Sequence, residues 1–323
     1  MSKPRVASLF AGIGGVCQGF IQAGCEIAYA NEIDKNACRT YRKNFDGAPY
    51  LHEGDVYDQH LKKSDKIDIL TAGFPCQAFS IAGYRKGFED ERGVLYTQVH
   101  RLIKECKPKA VFCENVKNLM NHDGGNTYDV IKGSLSSLNY TVKEEVLNTC
   151  DYGNLPQNRE RIYIVAFRNE KDRTCPAMDR FSFPEKLPLT KTVRDVVDFS
   201  AEVDDYYYYP HSHKYYPILD KAMDDPDTVY QWRRVYVRKN MKGMCPTLTA
   251  NMGTGGHNVP IIRDDYDIRK LTPEECLALQ GFPEDFCFPD TVARGQRYKQ
   301  VGNSVSVPVI KRIADNMVNA LKL

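Results

Sequence analysis

The stretch Leu9–Gly15, with the sequence LFAGIGG, decides the fold of this chain. It closes an apolar run that begins at Arg5 and predicts a β-strand. Glycines at the end of a strand let the chain turn tightly and let a ligand approach the main chain at a helix N-terminus. The stretch departs from the complete G-x-G-x-x-G dinucleotide fingerprint, because Cys17 stands at the third glycine position. It therefore predicts a strand, a turn and a helix, with either a nucleotide-like ligand or a plain turn at the glycines.

Strand and helix signals alternate along the first half of the chain. Short apolar runs predict strands, and stretches with apolar residues at helical spacing predict the helices between them. The strands are expected at Arg5–Phe10, Glu26–Asn31, Ile67–Ala72, Ala110–Glu114 and Arg161–Phe167, and two of the helices at Tyr96–Cys106 and Tyr128–Leu138. This alternation predicts an α/β fold, in which a doubly wound parallel sheet carries helices on both faces.

The pattern stops near Ala166, and the sequence from about Thr190 to Asp267 is irregular and rich in Tyr, Gly, Pro and Asp. We expect a smaller domain at 190–275, inserted into a larger domain that is built from 1–189 plus 276–323. Helical signals return at Thr272, an N-cap candidate that is followed by Pro and two acids. A last helix is expected from about Pro308 to Leu321.

Composition and charge exclude several classes of protein. The formal net charge is +2 for 323 residues, so a nucleic-acid partner would have to be bound by local basic patches. No apolar run approaches the roughly 18 residues of a membrane span, and the N-terminus lacks a signal-peptide pattern. The 11 cysteines include no C-x-x-C pair, and His211 and His213 have no cysteine at metal-binding spacing. We therefore expect a cytoplasmic protein with no metal, no disulfide framework and no membrane partner.

Two acidic residues stand at the ends of the next expected strands. Glu32 follows the second strand, where a carboxylate can accept hydrogen bonds from a ribose, and Asp55 follows a third. Either residue alone could be a solvated acid at a strand end. Together with the glycine stretch, at successive carboxyl ends of strands, they favour a cofactor that carries a nucleoside.

The reaction centre is expected at the following strand end, in Gly73–Ser80, with the sequence GFPCQAFS. Cys76 lies there in a loop at the carboxyl end of a strand, where open sheets place their chemistry. The alternative is a buried cysteine that packs as a small apolar side chain. Glu114 ends the next strand, Arg159 precedes the last one, and Arg161 is its first residue. In isolation each arginine would be a surface charge or a salt-bridge partner.

Five blocks, in this order and spacing, resemble the signature blocks of the DNA (cytosine-5)-methyltransferases, compact bacterial and phage enzymes of the HhaI and HaeIII type. The blocks are Leu9–Gly15, Gly73–Ser80, Glu114–Val116, Gln157–Arg161 and Gln300–Val305. The resemblance covers the chain except for about 170–268. It implies a Rossmann-like, doubly wound S-adenosylmethionine-dependent methyltransferase core with a smaller inserted target-recognition domain. It also implies that the target cytosine is flipped out of duplex DNA.

The resemblance implies a role for each candidate catalytic residue. Cys76 would add as a thiolate to carbon 6 of the cytosine, which makes carbon 5 nucleophilic toward the methyl group of the cofactor. Glu114 would hold ring nitrogen 3 and the amino group, and Arg161 would hold the base oxygen. Arg159 would support the same pocket.

The resemblance also implies that S-adenosylmethionine is the cofactor, that S-adenosylhomocysteine is the product, and that no metal takes part. Glu32 would bind the ribose and Asp55 the adenine. Ile33 stands where some relatives place an aromatic ring against the adenine. The expected cofactor residues are Phe10, Gly12, Gly14, Glu32, Ile33, Asp55, Val56, Pro75, Leu95, Asn303 and Ser304.

DNA contacts are expected in two places. Ser80–Leu95 resembles the mobile loop with which the family closes over DNA. Val229–Cys245 carries five cations and no acid, which by itself would indicate a solvated face, but it lies where the family has its recognition domain. The residues expected at DNA are Gln77, Ser80, Tyr84, Arg85, Lys86, Arg92, Arg233, Arg234, Arg238, Thr247, Thr249, Gly255 and Gly256.

Three other functions agree less well with these residues. A tRNA cytosine-5 methyltransferase on the same fold would carry a Cys-Phe-Thr tripeptide that this sequence lacks. A Rossmann dehydrogenase would need the third fingerprint glycine, and a non-catalytic DNA-binding relative would not need Cys76, Glu114 and Arg161 together. The expected partner is double-stranded DNA, and the protein is expected to be a monomer. The enzyme would belong either to a restriction-modification system, with a cognate restriction endonuclease that acts separately, or to the orphan and phage methylases, which have none.

Overall fold

The computed structural model describes residues 2–74, 95–170, 174–233, 235–240, 243–254 and 259–322, and of Thr254 the main chain only. Within these ranges the chain forms two β-sheets and ten α-helices. None of the helices in the described ranges is long and apolar enough to cross a membrane.

The larger sheet has seven strands. They are β1 (Arg5–Leu9), β2 (Glu26–Glu32), β3 (Leu51–Glu53), β4 (Ile69–Ala72), β5 (Ala110–Val116), β6 (Tyr140–Asn148) and β7 (Glu160–Arg168), in the order β3-β2-β1-β4-β5-β7-β6. The strands from β3 to β5 are parallel, and β7 is antiparallel to both β5 and β6. The prediction of a parallel sheet is therefore wrong for β7. The short connection from β6 to β7 joins two neighbouring strands without the long crossover that a parallel pair requires.

Helices cover both faces of this sheet, as the sequence predicts. The helices of the chain are α1 (Gly15–Gln22), α2 (Lys35–Asn44), α3 (Leu95–Cys106), α4 (Asn126–Ser137), α5 (Thr149–Tyr152), α6 (Pro176–Arg180), α7 (Tyr216–Ala222), α8 (Pro273–Gln280), α9 (Arg294–Gly302) and α10 (Val307–Leu321). Alternate strand residues point to opposite faces, so Val6 and Ile69 pack in one apolar cluster, and Ala7 and Leu70 in another. The first cluster includes residues of α1 and α10, and the second includes residues of α3 and α4.

The strand order places a crevice at the carboxyl ends of the central strands. Since β1 lies between β2 and β4, the connections on its two sides run in opposite directions and leave room for a ligand at that point. The glycine stretch begins at Leu9, the last residue of β1, and Glu32 is the last residue of β2. The fold thus brings these two sequence features to neighbouring positions at one edge of the sheet.

A second sheet lies within the segment 190–275. Its strands are β8 (Tyr230–Arg233), β9 (Tyr236–Lys239), β10 (Pro260–Arg263) and β11 (Ile268–Lys270), all antiparallel and in the order β11-β10-β8-β9. One face packs against α7 through Leu219, Tyr230 and Ile261. The sequence did not predict these strands, because three or four residues are too few to show a clear alternation.

A buried ion network joins β11 to α8. Arg269 pairs with Asp264 and donates to both carboxylate oxygens of Glu275 at 2.8 Å. Glu275 also accepts a hydrogen bond from the main-chain nitrogen of Thr272, whose hydroxyl accepts one from the nitrogen of Glu275. This capping box confirms the helix start that was predicted at Thr272. The expected domain boundary between residues 275 and 276 falls inside α8.

Candidate active site

A cavity of about 660 Å³ opens at the carboxyl ends of the central strands. Its volume is in the range of small-molecule and cofactor sites. It brings together nine of the expected cofactor residues, which are Phe10, Gly12, Glu32, Ile33, Asp55, Val56, Leu95, Asn303 and Ser304. Three of the expected catalytic residues, Glu114, Arg159 and Arg161, line the same cavity.

The glycine stretch forms the turn between β1 and α1. Gly14 has φ 92°, and a Cβ at this position would lie 2.4 Å from the ring of Phe45, so a larger residue would be strained and would also clash. A Cβ on Gly15 would lie 2.5 Å from the hydroxyl oxygen of Ser304. Gly14 therefore shapes the turn by packing against α2, while Gly12 lines the cavity.

Glu32 holds this turn in place through its carboxylate. Its Oε2 accepts a hydrogen bond from the main-chain nitrogen of Gly12 at 2.8 Å. Its Oε1 accepts from the nitrogens of Ile33 and Asp34 at 2.9 and 2.8 Å. A carboxylate has about four acceptor positions, so Oε2 keeps one for a further donor such as a ribose hydroxyl.

An apolar side chain is exposed beside this carboxylate. Ile33 is 61% exposed although it lines the cavity, and an exposed branched apolar residue at this place offers a surface to a flat ring. Asp55 begins a 3-10 turn two residues after β3, and its Oδ1 accepts a hydrogen bond from the nitrogen of Tyr57 at 3.1 Å. The structure therefore offers apolar and carboxylate groups side by side, as an adenosine would require.

Glu114 and Arg161 form an ion pair on the β5 side of the cavity. Glu114 is opposite Tyr163 in the sheet, and Arg161 lies two residues before Tyr163, so both side chains point to the same face. The Nε of Arg161 lies 3.2 Å from Oε1 of Glu114. Burial raises the pKa of the Glu114 carboxyl above its ordinary value, although Arg161 and Arg159 act in the opposite direction. The Glu114 carboxyl therefore holds a proton more strongly than an exposed carboxyl would, beside the cation of Arg161.

Arg159 is more deeply buried than Arg161, with 3% of its surface exposed. Its guanidinium donates to the carbonyl oxygen of Leu248 at 2.8 Å, to that of Gly302 at 3.3 Å and to that of Ser304. Burial lowers the pKa of Arg159 to about 9, and the neighbouring Arg161 acts in the same direction.

Two amide residues that were not among the expected site residues also line this cavity. Asn115 donates to the carbonyl oxygen of Phe74 at 2.8 Å, and Phe74 is two residues before Cys76 in the sequence. Gln300 is buried at the cavity, and its Oε1 accepts a hydrogen bond from the Thr40 hydroxyl at 2.8 Å. Asn115 lies in the block Glu114–Val116 and Gln300 in the block Gln300–Val305. An amide side chain inside such a block is the sequence feature that could have indicated a role in the site.

Several predicted site residues lie outside the described ranges, among them the expected nucleophile. These residues are Pro75, Cys76, Gln77, Ser80, Tyr84, Arg85, Lys86, Arg92, Arg234, Gly255 and Gly256. Among the residues that the structure describes, no group of three His, Cys, Asp or Glu side chains could hold a metal ion.

The hairpin of β8 and β9 sorts its cations onto two faces. Arg233 is opposite Tyr236, and Arg238 is opposite Gln231, so all four residues share the face that points away from α7. Lys239 lies on the other face, where its ammonium is 3.0 Å from Asp224 and 3.2 Å from Asp225.

The only tryptophan of the sequence also lies on the α7 side of this hairpin. The ring of Trp232 stacks on Tyr215, with the ring centres 4.2 Å apart. Of the aromatic residues in this basic run, Trp232 therefore serves the packing of the sheet, while Tyr236 is exposed beside the arginines.

Thr247 and Thr249 lie on the segment that runs past Arg159. The Thr247 hydroxyl donates to the carbonyl oxygen of Asn158 at 2.6 Å, and the Thr249 hydroxyl donates to Oδ1 of Asn251 at 2.7 Å. Both side chains are half-buried and remain within reach of solvent.

Comparison with known proteins identifies the family of this chain. The family model of the C-5 cytosine-specific DNA methylases matches residues 4–319. The type II methyltransferase M.Bsp6I of Bacillus sp. (strain RFL6) is 50% identical over 320 residues, which cover 98% of this chain and 99% of that protein. The type II methyltransferase M.HhaI of Haemophilus parahaemolyticus is 39% identical over 338 residues, covering 98% and 95%. The structure of the S. pombe Dnmt2 methyltransferase shares the fold, with a TM-score of 0.74, 21% identity and coverage of 99% of this chain and 100% of that one.

Proposed function

The chain belongs to the family of C-5 cytosine-specific DNA methylases, and we propose that it methylates carbon 5 of a cytosine flipped out of duplex DNA. The observation that carries this proposal is the placement of the Glu114–Arg161 pair in the same cavity as Glu32 and Ile33. One part of the cavity suits a polar base, and another part suits an adenosine. A single cavity can therefore hold the base and the methyl donor in contact.

The residues of the base pocket suit the first bond that must form. The thiolate of Cys76 adds to carbon 6 of the ring, and the displaced electron pair makes carbon 5 nucleophilic. Glu114 stabilises the charge that develops on the ring by holding a proton at nitrogen 3, and Arg161 binds the base oxygen. After carbon 5 has taken the methyl group, loss of the carbon 5 proton and release of Cys76 restore the aromatic ring.

S-adenosylmethionine, when bound, supplies an electrophilic methyl group and leaves as S-adenosylhomocysteine, with no metal involved. In this proposal the free acceptor position on Glu32 takes a ribose hydroxyl, and Ile33 packs against the adenine. Asp55 and Val56 complete the adenine end. The methionine part lies against the remaining residues of the set, which are Phe10, Gly12, Leu95, Asn303 and Ser304.

DNA would be bound by the loop that contains Cys76 and by a recognition domain at 190–275. The hairpin of β8 and β9 supports the second assignment, because Arg233 and Arg238 share one face with Tyr236. A two-stranded ribbon of this kind fits the major groove of B-form DNA. We further expect a monomer in the cytoplasm, paired in function with a separate restriction endonuclease.

The proposed nucleophile can be tested with a trapped reaction. A duplex with 5-fluorocytosine at the target should form a covalent adduct with the wild-type protein, because fluorine cannot leave as the carbon 5 proton does. Cys76→Ala should form no adduct and should lose methyl transfer while still binding S-adenosylmethionine. Cys287→Ala, at an exposed cysteine, is the matched control and should react as the wild type does. An adduct with Cys76→Ala would contradict the assignment.

A further inference from the structure

Arg159 is a buried cation that is bound by main-chain carbonyls. Moving a charge out of water is costly unless other groups replace its hydration. The guanidinium obtains this replacement from the carbonyl oxygens of Leu248, Gly302 and Ser304. We call these four residues the carbonyl clamp.

The clamp joins two parts of the chain that are far apart in the sequence. Leu248 belongs to the segment that leads from β9 back to β10, inside the expected recognition domain. Gly302 and Ser304 lie at the end of α9 and in the loop after it, and both line the large cavity. Arg159 itself directly precedes β7 and lines the same cavity as Arg161 and Glu114. A single side chain therefore binds both the segment that leads to the recognition sheet and the loop after α9.

The main chains around the clamp are packed too closely for ordinary side chains. A Cβ on Gly302 would lie 2.1 Å from the carbonyl carbon of Thr249. The nitrogen of Asn158 donates to the carbonyl of Cys245 at 2.8 Å, and the nitrogen of Cys245 donates to the carbonyl of Pro156 at 2.7 Å. Residues 156–159, 245–250 and 302–304 thus meet main chain to main chain, with Arg159 between them.

An arginine suits this position better than any other cation. Its planar guanidinium carries five N–H donors in a fixed geometry, so it can bind carbonyls of two segments at once. Lysine keeps the charge but has one ammonium on a flexible stem, and it would hold the segments less firmly. The low pKa of Arg159, about 9, still leaves the side chain charged at neutral pH.

We propose that Arg159 is a positioning residue, which contacts neither the base nor the cofactor and instead fixes the cofactor loop against the segment that leads to the recognition sheet. The clamp makes the shape of the cofactor end of the cavity depend on the recognition segment. The inference rests on the proposed function, because it takes the cavity to be the site of S-adenosylmethionine.

The test compares Arg159→Lys with Arg312→Lys. Arg312 also donates to two main-chain carbonyls, those of Tyr152 and Glu185, both at 2.9 Å, but it lies away from the cavity. By calorimetric titration without DNA, Arg159→Lys should bind S-adenosylmethionine about tenfold more weakly than the wild type, and Arg312→Lys should bind it normally. The melting temperatures of the two variants should agree within about 4 °C. A direct contact of Arg159 with the base would leave cofactor affinity unchanged and would overturn the inference.

Steady-state kinetics separate positioning from a general loss of structure. With the cognate duplex, kcat of Arg159→Lys should fall by about 10² because the reacting groups are misplaced, while KM for the duplex stays within about twofold. If KM for DNA rises while kcat and the melting temperature both fall, the role of Arg159 is purely structural and the inference is overturned.

Gly302→Ala provides a second and independent variant. The added Cβ must displace residues 249–250, so it should weaken cofactor binding in the same way. Since both substitutions open the same clamp, the double variant should bind S-adenosylmethionine no more than about twofold more weakly than the poorer single variant. If the loss of affinity in the double variant equals the product of the two single losses, the inference is overturned. A wild-type protein that does not bind S-adenosylmethionine would instead overturn the proposed function.

Discussion

In the proposed function, the protonation state of Glu114 decides which hydrogen bonds the pocket can make with a cytosine. A protonated carboxyl donates through one oxygen and accepts through the other. It can therefore donate to ring nitrogen 3 of cytosine and accept from the amino group at the same time. Burial raises the pKa of Glu114, which favours this protonated form, and the Nε of Arg161 at 3.2 Å restrains the orientation of the carboxyl.

Glu114→Gln should separate binding from catalysis. The amide has the same shape and offers the same donor and acceptor, but it cannot transfer a proton. We expect methyl transfer to fall by about 10²–10⁴, while affinity for the cognate duplex changes little. Glu160→Gln, at an exposed carboxylate of the same region that pairs with Lys117, is the control and should remain active. An active Glu114→Gln enzyme would remove Glu114 from the mechanism.

The same substitution should change how stability depends on pH. Because the pKa of Glu114 is raised in the folded protein, the folded state keeps a proton that the unfolded state releases above about pH 4.3. Wild-type stability therefore declines as the pH rises from that value toward the raised pKa. Glu114→Gln lacks this titration, so its free energy of unfolding relative to the wild type should increase between about pH 5 and pH 8. Urea denaturation at both pH values measures the difference, and a constant difference would contradict the expectation.

Contacts at the residue scale differ in how far the sequence could predict them. Glu114 and Arg161 could be placed together, because each lies at the end of a strand with a clear apolar pattern. The contacts of Arg159 could not be predicted from the sequence, because Leu248 and Ser304 are 89 and 145 residues away along the chain. They also contribute carbonyl oxygens, which every residue has, so no residue type signals the contact.

At the scale of elements, the proposed function assigns the reading of DNA to the hairpin of β8 and β9. Its outward face carries Arg233 and Arg238 on neighbouring strands, with the exposed ring of Tyr236 opposite Arg233. Its inward face is occupied by packing against α7 and by the ion pairs of Lys239. Arg238 and Lys239 are therefore neighbours in the sequence but lie on opposite faces of the hairpin. Substitution of Lys239 can serve as the control for substitution of Arg238.

Arg238→Ala and Lys239→Ala should therefore differ in their effect on DNA. If Arg238 contacts a guanine edge, its loss should weaken cognate binding by about 1–3 kcal/mol and relax the choice of one base pair. If it contacts only phosphate, all duplexes should be bound more weakly, and the salt dependence should fall by about one charge. Lys239→Ala should leave DNA affinity unchanged, because this side chain faces Asp224 and Asp225. Equal losses in both variants would contradict the assignment of the faces.

The elements that the sequence failed to predict share physical causes. The edge strand β6 is mostly half-exposed and carries Lys143, Glu144 and Glu145 in its middle, so it lacks the apolar run that marks the central strands. Because the sequence did not predict β6, it also could not predict that β7 runs antiparallel beside it. The strands β1, β2, β4 and β5 are largely buried, and their apolar runs therefore predicted them to within two residues at each end.

At the scale of the whole molecule, the net charge of +2 gives no general attraction to nucleic acid. The proposed function therefore requires local cations at the DNA, and the β8–β9 ribbon carries two of the expected ones, Arg233 and Arg238. The two sheets are also connected by buried contacts, through Arg269 to α8 and through Arg159 to the cofactor loop.

This arrangement predicts that the substrate is duplex DNA and that tRNA is not methylated. The B-form major groove is about 12 Å wide and admits a two-stranded ribbon, whose arginines then reach base edges. The A-form major groove is deep and narrow, so the face of Arg233 and Arg238 would find little to read in an RNA helix. Radiolabelled S-adenosylmethionine should be supplied in parallel with genomic DNA, duplex oligonucleotides and total tRNA. Label should enter DNA at one short recurring sequence, and faster labelling of tRNA than of any DNA would favour the tRNA methyltransferase instead.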